Sequence, residues 1–195
     1  MDYLIKYQKR QLFKRGISVS ISLLYKCTLN CSYCSLKNFG TKTPHDTLIY
    51  KANEWLNYID TFPVKIKEIF LTGGEPGIYP LIDHLTNQLI KRGYFITIFT
   101  NLTSIASFMR IESSPNLKFQ ATYHKDMDLE IFKTNYKIMN EFFRVDVDEI
   151  ETNYFGGSNV KKLCTIETEK KTDRLRIDSD MKIYTNCYDR NLSHL

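Results

Sequence analysis

The sequence predicts an α/β fold, a parallel sheet curled into a partial (β/α)6-type barrel with a C-terminal β-hairpin extension. Three observations carry that expectation. Strand-like apolar runs alternate with segments of helical spacing in a repeating order. At 195 residues the chain holds one core of ordinary size rather than two full domains. Past Gly156-Gly157 the alternation stops, and Arg174 to Ile177 and Met181 to Asn186 flank Asp178-Ser179-Asp180 as a hairpin would. The expected division is a barrel core over 1–157 and an extension over 158–195 that carries two cysteines.

Each element has its own signal. Ile17, Val19, Ile21 and Leu23 alternate with Ser18, Ser20 and Ser22, the period-2 pattern of a strand with one face toward helices. A helix is expected over Thr47 to Phe62, where Leu48, Ala52, Trp55, Leu56 and Ile59 recur at helical spacing after the start signals Thr43-Pro44 and Asp46. Ile66 to Thr72 reads as the second strand. Pro80 opens a second helix through Lys91 on Leu81, Ile82, Leu85 and Leu89, and Gly93 stops it before a third strand over Tyr94 to Thr100. A short helix near Ser104 to Arg110, a strand over Leu117 to Tyr123, a helix over Leu129 to Phe142 and a strand over Arg144 to Ile150 complete the series. Crossovers of one hand curl such a sheet, and its functional groups gather at the C-terminal strand ends. Neither an internal repeat nor a low-complexity tract interrupts the pattern.

Composition excludes several classes. With 43% hydrophobic and 25% charged residues the chain is globular in character, and no apolar run approaches the ~20 residues that span a bilayer. Met1 to Arg15 is rich in Lys and Arg but lacks an apolar core, so it does not read as a signal peptide, and a cytoplasmic location is expected. A net charge of +5 without a long basic block gives no indication of nucleic-acid binding.

Two motifs carry chemistry. Cys27, Cys31 and Cys34 form a CxxxCxxC triplet directly after the first strand, a poor disulfide framework and a good metal framework for a reducing compartment. Three thiolates can hold three irons of a 4Fe-4S cubane and leave the fourth iron open. They could instead join Cys164, Cys187 or a histidine around zinc. The second motif, Gly73-Gly74-Glu75-Pro76, follows the second strand.

CxxxCxxC after strand one, the aromatic Tyr33 before the third cysteine and Gly-Gly-Glu-Pro after strand two together resemble the radical S-adenosylmethionine (radical SAM) superfamily. The resemblance implies a TIM-like partial barrel and an open iron chelated by the amino and carboxylate groups of S-adenosylmethionine. One electron then cleaves the sulfonium bond to give a 5′-deoxyadenosyl radical for hydrogen abstraction, with a peptide or protein as the expected substrate. It further implies that Gly73 and Gly74 let the backbone approach the ligand, that Glu75 and neighbouring carbonyls accept from the ammonium, that Pro76 fixes the turn, and that Tyr33 lies near the adenine. Thr100, Asn101 and Thr122 are candidates to reach the ribose, the carboxylate or the substrate.

Other readings stand beside the resemblance. His124, at a strand end, is a catalytic candidate beside the plainer reading of a satisfied structural histidine, while His45, His84 and His194 read as surface or terminal. Ser18, Ser20 and Ser22 would line the lumen, or simply pack closely. Lys26, Lys37 and Lys42 bracket the cysteine loop and would attract an acidic flavodoxin or ferredoxin electron donor, with a solvated rim as the alternative. Cys164 and Cys187 resemble the start of a second, auxiliary cluster, yet two cysteines fall short of its four ligands, and two buried or reactive thiols are the other reading. An activase for a glycyl-radical enzyme is the runner-up function, and a non-catalytic iron-sulfur or zinc protein is the reading from another class.

Overall fold

The computed structural model describes residues 16–32, 34, 51–63, 65–125, 127–150, 174–177 and 183–184. Strand β1 (Ile17–Ser22) leads to helix α1 (Ala52–Asp60), β2 (Ile66–Thr72), α2 (Ile82–Lys91), β3 (Phe95–Thr100), β4 (Leu117–His124), α3 (Leu129–Phe142) and β5 (Arg144–Ile150). The hairpin strands β6 (Arg174–Ile177) and β7 (Ile183–Tyr184) follow. All join one sheet in the order β5-β4-β3-β2-β1-β6-β7, parallel from β5 to β6, with β7 antiparallel to β6. The sheet is an open α/β partial barrel. The hairpin extends it, because β6 pairs with β1 through Ser18↔Arg174 to Ile21↔Ile177.

Alternation along each strand makes two unlike faces. Val19 and Ile21 stand in register with Ile69 and Leu71, and these with Ile96 and Ile98, forming an unbroken apolar face. Trp55, Leu56 and Ile59 of α1, Ile82, Leu85 and Leu89 of α2, and Phe132 and Met139 of α3 complete the same core. Each such side chain contributes ~1.5–3 kcal/mol on full burial, so this face dominates folding. Phe119 of β4 continues it, with ring centroids 5.1 Å from both Phe108 and Phe143. On the other face the register aligns Ser18, Ser20 and Ser22 with Glu68, Phe70 and Thr72. There Ser18 Oγ donates to Glu68 at 3.4 Å, and Phe70 and Phe99 pack with centroids 5.9 Å apart.

Helix ends follow local chemistry. Asp128 caps α3, its carboxylate accepting from the N–H groups of Glu130 at 2.8 Å and Ile131 at 3.2 Å. Glu54 reaches back to the N–H of Lys51 at 2.5 Å ahead of α1, whose expected start near Thr47 lies outside the described residues. Gly93, at φ 83°, closes α2 in the left-handed conformation with open space where a Cβ would stand.

The structure corrects three boundaries. Helix α2 begins at Ile82, not Pro80, because a 3₁₀ turn over Pro76–Ile78 occupies the chain before it and the N–H of Ile82 bonds the carbonyl of Tyr79. Leu81 is consequently 41% exposed rather than part of the core. Tyr94 belongs to the helix closure, its N–H on the carbonyl of Leu89, so β3 starts at Phe95. The helix expected over Ser104 to Arg110 is one 3₁₀ turn, Phe108–Arg110, ending where Phe108 inserts into the core. Among the described residues no helix is long and apolar enough to cross a membrane.

Candidate metal and cofactor site

The cysteine loop leaves the sheet at the C-terminal end of β1 and lies against the turn after β2. Leu23 N–H donates to Thr72 at 2.9 Å, Gly74 N–H to Leu24 at 2.7 Å and Glu75 N–H to Lys26 at 3.0 Å. This contact is why two glycines are needed. A Cβ on Gly73 would stand 2.2 Å from the Leu24 carbonyl oxygen, and one on Gly74 only 1.9 Å from that of Lys26. Gly73 also adopts φ 129°, which side chains rarely take. The close approach made by these glycines is therefore to the cysteine loop itself. No described group donates to their carbonyls.

Beyond Lys26, Cys27, Cys31 and Cys34 form no disulfide among the described residues; Cys31 is buried and Cys27 and Cys34 are half-buried. A tight turn with Cys34 N–H on the Cys31 carbonyl at 3.2 Å brings the last two together. Burial pushes the Cys27 thiol up, the Leu29 N–H at 3.4 Å pulls it down, and the charges of Glu75, Cys34 and Cys31 push it up again. These groups are thus close enough to feel one another.

Glu75 is wholly buried, and its carboxylate is fully engaged with the protein. Oε1 accepts from Gly77 N–H at 2.9 Å and from the Thr100 hydroxyl at 2.7 Å, while Oε2 accepts from Asn101 N–H at 2.7 Å. Burial raises its pKa above the ordinary glutamate value even against these three donors. The side chain expected to meet an ammonium thus ties the turn after β2 to the end of β3. Pro76 opens the 3₁₀ turn, and Gly77 is required because a Cβ would stand 2.1 Å from the Ser104 carbonyl.

Asn101 extends the same network toward the cysteines. Its Nδ2 donates to Thr28 Oγ1 at 3.2 Å and to Cys27 Sγ at 3.6 Å, and its Oδ1 accepts from Thr103 N–H at 2.9 Å and Thr103 Oγ1 at 2.5 Å. The hydroxyls of Thr28 and Thr103 also bond each other. Leu102, between them, is buried at φ 58°, and its N–H donates to Thr100 Oγ1 at 2.9 Å. Sequence reading missed Thr28, Thr103 and the backbone of Leu102. The polar run Thr100-Asn101 with Thr103-Ser104 at a strand end was the available signal.

The fold thus gathers Cys27, Gly73, Gly74, Glu75, Pro76, Thr100 and Asn101 at the C-terminal ends of three adjacent strands. Thr122 and His124 stand at the end of the next strand, β4, half-buried, in register with Asp148 and Ile150. The N–H of His124 donates to Met127 Sδ at 3.3 Å and its carbonyl accepts from Met127 N–H at 3.0 Å. His84 is exposed on α2. Tyr33, Lys37, Lys42, His45, Cys164, Cys187 and His194 lie outside the described residues.

Among the described residues no three Cys, His, Asp or Glu side chains converge closely enough to hold a single ion. A cubane makes a different demand, one thiolate to each of three irons, and three cysteines on one loop, outside any disulfide among the described residues, suit it. The carbonyls of Gly73 and Gly74, beside that loop and without a donor among the described residues, suit an ammonium. The residues present therefore fit a 4Fe-4S cluster with S-adenosylmethionine.

Comparison with known proteins agrees with this chemistry. The sequence model of the Radical SAM superfamily matches residues 21–118. The 7-carboxy-7-deazaguanine synthase of Haemophilus influenzae is 34% identical over 116 residues, 58% of this chain and 51% of that protein. A Methanocaldococcus jannaschii protein named for glycyl-radical enzyme activation is 32% identical over 89 residues, 44% of this chain and 32% of that one. The chain therefore spans about half or less of the curated relatives it matches. Streptococcus suis SuiB bound to S-adenosylmethionine superposes with a TM-score of 0.57 at 16% identity, covering 100% of this chain and 65% of SuiB, and SuiB has also been solved with its precursor peptide SuiA. At that identity the likeness concerns the fold.

Proposed function

The chain belongs to the radical SAM superfamily, and from that premise we propose that it is an enzyme using a 4Fe-4S cluster on Cys27, Cys31 and Cys34 to cleave S-adenosylmethionine reductively. When bound, the cluster and S-adenosylmethionine supply a 5′-deoxyadenosyl radical that abstracts hydrogen from a substrate. One observation supports this reading: the loop that carries Cys27, Cys31 and Cys34 is hydrogen-bonded to the Gly73-Gly74-Glu75 turn, through Gly74 N–H on the Leu24 carbonyl and Glu75 N–H on the Lys26 carbonyl.

The roles of the chain's own residues follow from that contact. Cys27, Cys31 and Cys34 hold the irons. Gly73 and Gly74 offer their carbonyls to the ammonium, and Glu75 keeps the turn in place through Gly77, Thr100 and Asn101. Tyr33 is assigned to the adenine, and Thr122 and His124, one strand along, to the ribose or substrate side of the site. Ser18, Ser20 and Ser22 line the face across from the helices, where small side chains leave room.

We assign the substrate to the peptide or protein class, a reading supported by the likeness to SuiB, which has been solved with a precursor peptide. The second reading, an activase for a glycyl-radical enzyme, is favoured by the resemblance to the M. jannaschii protein. The exposed Lys26 beside Cys27 suits an acidic flavodoxin or ferredoxin as electron donor in a reducing, cytoplasmic compartment. The test is anaerobic reconstitution with iron and sulfide, followed by dithionite and S-adenosylmethionine. The expected products are 5′-deoxyadenosine and methionine. A fully loaded cluster that leaves S-adenosylmethionine intact would defeat the proposal.

A further inference from the structure

We infer that Asn101 is a positioning residue for the cluster ligand Cys27: its side-chain N–H donates to the sulfur and raises the reduction potential of the cluster. The inference rests on the reading that Cys27 ligates iron. It adds a contact that arrives from another strand, 74 positions along the chain.

The geometry shows a built contact. Asn101 is 4% exposed, and its main chain is fixed by the 2.7 Å bond from its N–H to Glu75. Its amide can face only one way. Oδ1 receives two donors from Thr103, so a reversed amide would set an NH₂ group against the Thr103 N–H. With Oδ1 held there, Nδ2 is directed at Cys27 Sγ and Thr28 Oγ1. The turn that does this carries a cost, since Leu102 is held at φ 58°. An L residue is strained there, and such strain persists only where surrounding bonds impose it.

The chemistry follows from charge. An N–H directed at a cysteine sulfur withdraws electron density from the iron-bound thiolate and favours the more negative, reduced cluster. Leu29 N–H provides a second donor to the same sulfur from within the loop. Asn101 differs because it couples the sulfur to the Glu75 turn, where the ammonium is placed. One residue, through its side chain on Cys27 and its peptide N–H on Glu75, therefore bears on both the potential of the cluster and the position of the cosubstrate.

The test is a redox titration followed by electron paramagnetic resonance on reconstituted wild type, Asn101→Ala, Asn101→Leu and Thr103→Val, each with iron and sulfide measured. Both Asn101 variants lose the donor and should show a midpoint shifted to more negative potential at equal iron content. Thr103→Val loosens the same turn but keeps every N–H donor, and its midpoint should match wild type. Unchanged midpoints in both Asn101 variants, or an equal shift in Thr103→Val, would overturn the inference. Asn101→Leu keeps the side-chain size without a donor or a charge and supplies the measurement if the alanine variant loads poorly. Failure of both to load, with Thr103→Val loaded, would assign Asn101 a purely structural part and also overturn it. Wild type that takes up no iron would instead sink the cofactor reading on which this rests.

Discussion

The peptide N–H of Asn101 donates to Oε2 of Glu75 at 2.7 Å, while the Asn101 side chain reaches Cys27 Sγ at 3.6 Å. A single residue at the end of β3 thus holds both the acidic turn after β2 and the cysteine loop after β1. These two segments are distant in sequence, and backbone contacts and this bridge help set their relative position.

Glu75→Gln should destabilise the protein by about 2–3 kcal/mol, because the Gln NH₂ must face a donor from Gly77, Thr100 or Asn101 and one buried bond is lost outright. Denaturant unfolding of the metal-free protein measures this. Thr100→Val removes one donor from the carboxylate and also the acceptor of the Leu102 N–H, so it should cost a similar amount, about 2–3 kcal/mol. Equal stability of Glu75→Gln and wild type would show that the clamp contributes nothing.

Gly74→Ala should prevent cluster loading while leaving the sheet folded. Its methyl group would stand 1.9 Å from the Lys26 carbonyl, so the cysteine loop must lift from the turn. Iron content after reconstitution should fall by at least tenfold, with far-ultraviolet circular dichroism unchanged. Normal iron uptake would contradict the placement of the loop.

Cys27→Ala, Cys31→Ala and Cys34→Ala should each abolish the stable cluster, since two thiolates cannot retain a cubane that already lacks a fourth protein ligand. Wild type should hold about four irons per chain. The double variant Cys164→Ala, Cys187→Ala should keep the same number. A drop in iron in that variant would instead indicate an auxiliary cluster.

At position 102 glycine should be tolerated better than alanine. Leu102→Ala loses buried contacts and keeps the left-handed strain, whereas Leu102→Gly loses the same contacts and relieves it. The expected gap is about 1 kcal/mol in favour of glycine, read from chemical denaturation. The reverse order would mean that the strain is absent.

Asp83 and Arg110 provide the pH prediction. Burial raises the Asp83 carboxyl, but the Arg110 guanidinium at 2.6 Å and the N–H of His84 outweigh it and hold the group below the usual aspartate value. A depressed pKa stabilises the fold above the unfolded value, about 3.9, and that stability is lost as pH falls through the folded value. Arg110 is 56% exposed, which limits the pair to ~0.5 kcal/mol after screening. Asp83→Asn should therefore be slightly less stable than wild type at pH 7 and lose that difference below about pH 4. A difference that persisted in acid would point to another cause.

Sequence periodicity located the strands well because each one is apolar on the helix side and different on the other. β2, α3 and β5 fall where the pattern places them, since Ile69 and Leu71, Phe132 and Met139, and Val145 all face one core. The errors occurred where short-range hydrogen bonds override propensity. Pro80 resembles a helix start, yet the 3₁₀ turn at Pro76 takes precedence, and Ser104 to Arg110 is too short to continue once Phe108 is buried. At the site the motif residues were legible, but the direction of their side chains was not. Whether Glu75 faces outward or into three donors, and whether Asn101 turns toward a ligand or toward Cys27, depends on chain segments far apart in sequence.

The pairing of β6 with β1 bears on how the molecule is made. β1, which bears the cysteine loop, is hydrogen-bonded on one side to residues 66–72 and on the other to residues 174–177. During synthesis the first partner emerges early and the second late. Until residues 174–177 emerge the strand therefore lacks that partner on one edge, with this long-range closure as the slow step. A nascent chain at this stage is prone to pairing with other chains through that edge. Cluster insertion before residues 174–177 emerge would act on an unfinished sheet, so the timing of iron delivery relative to the last strands becomes part of how active protein is obtained.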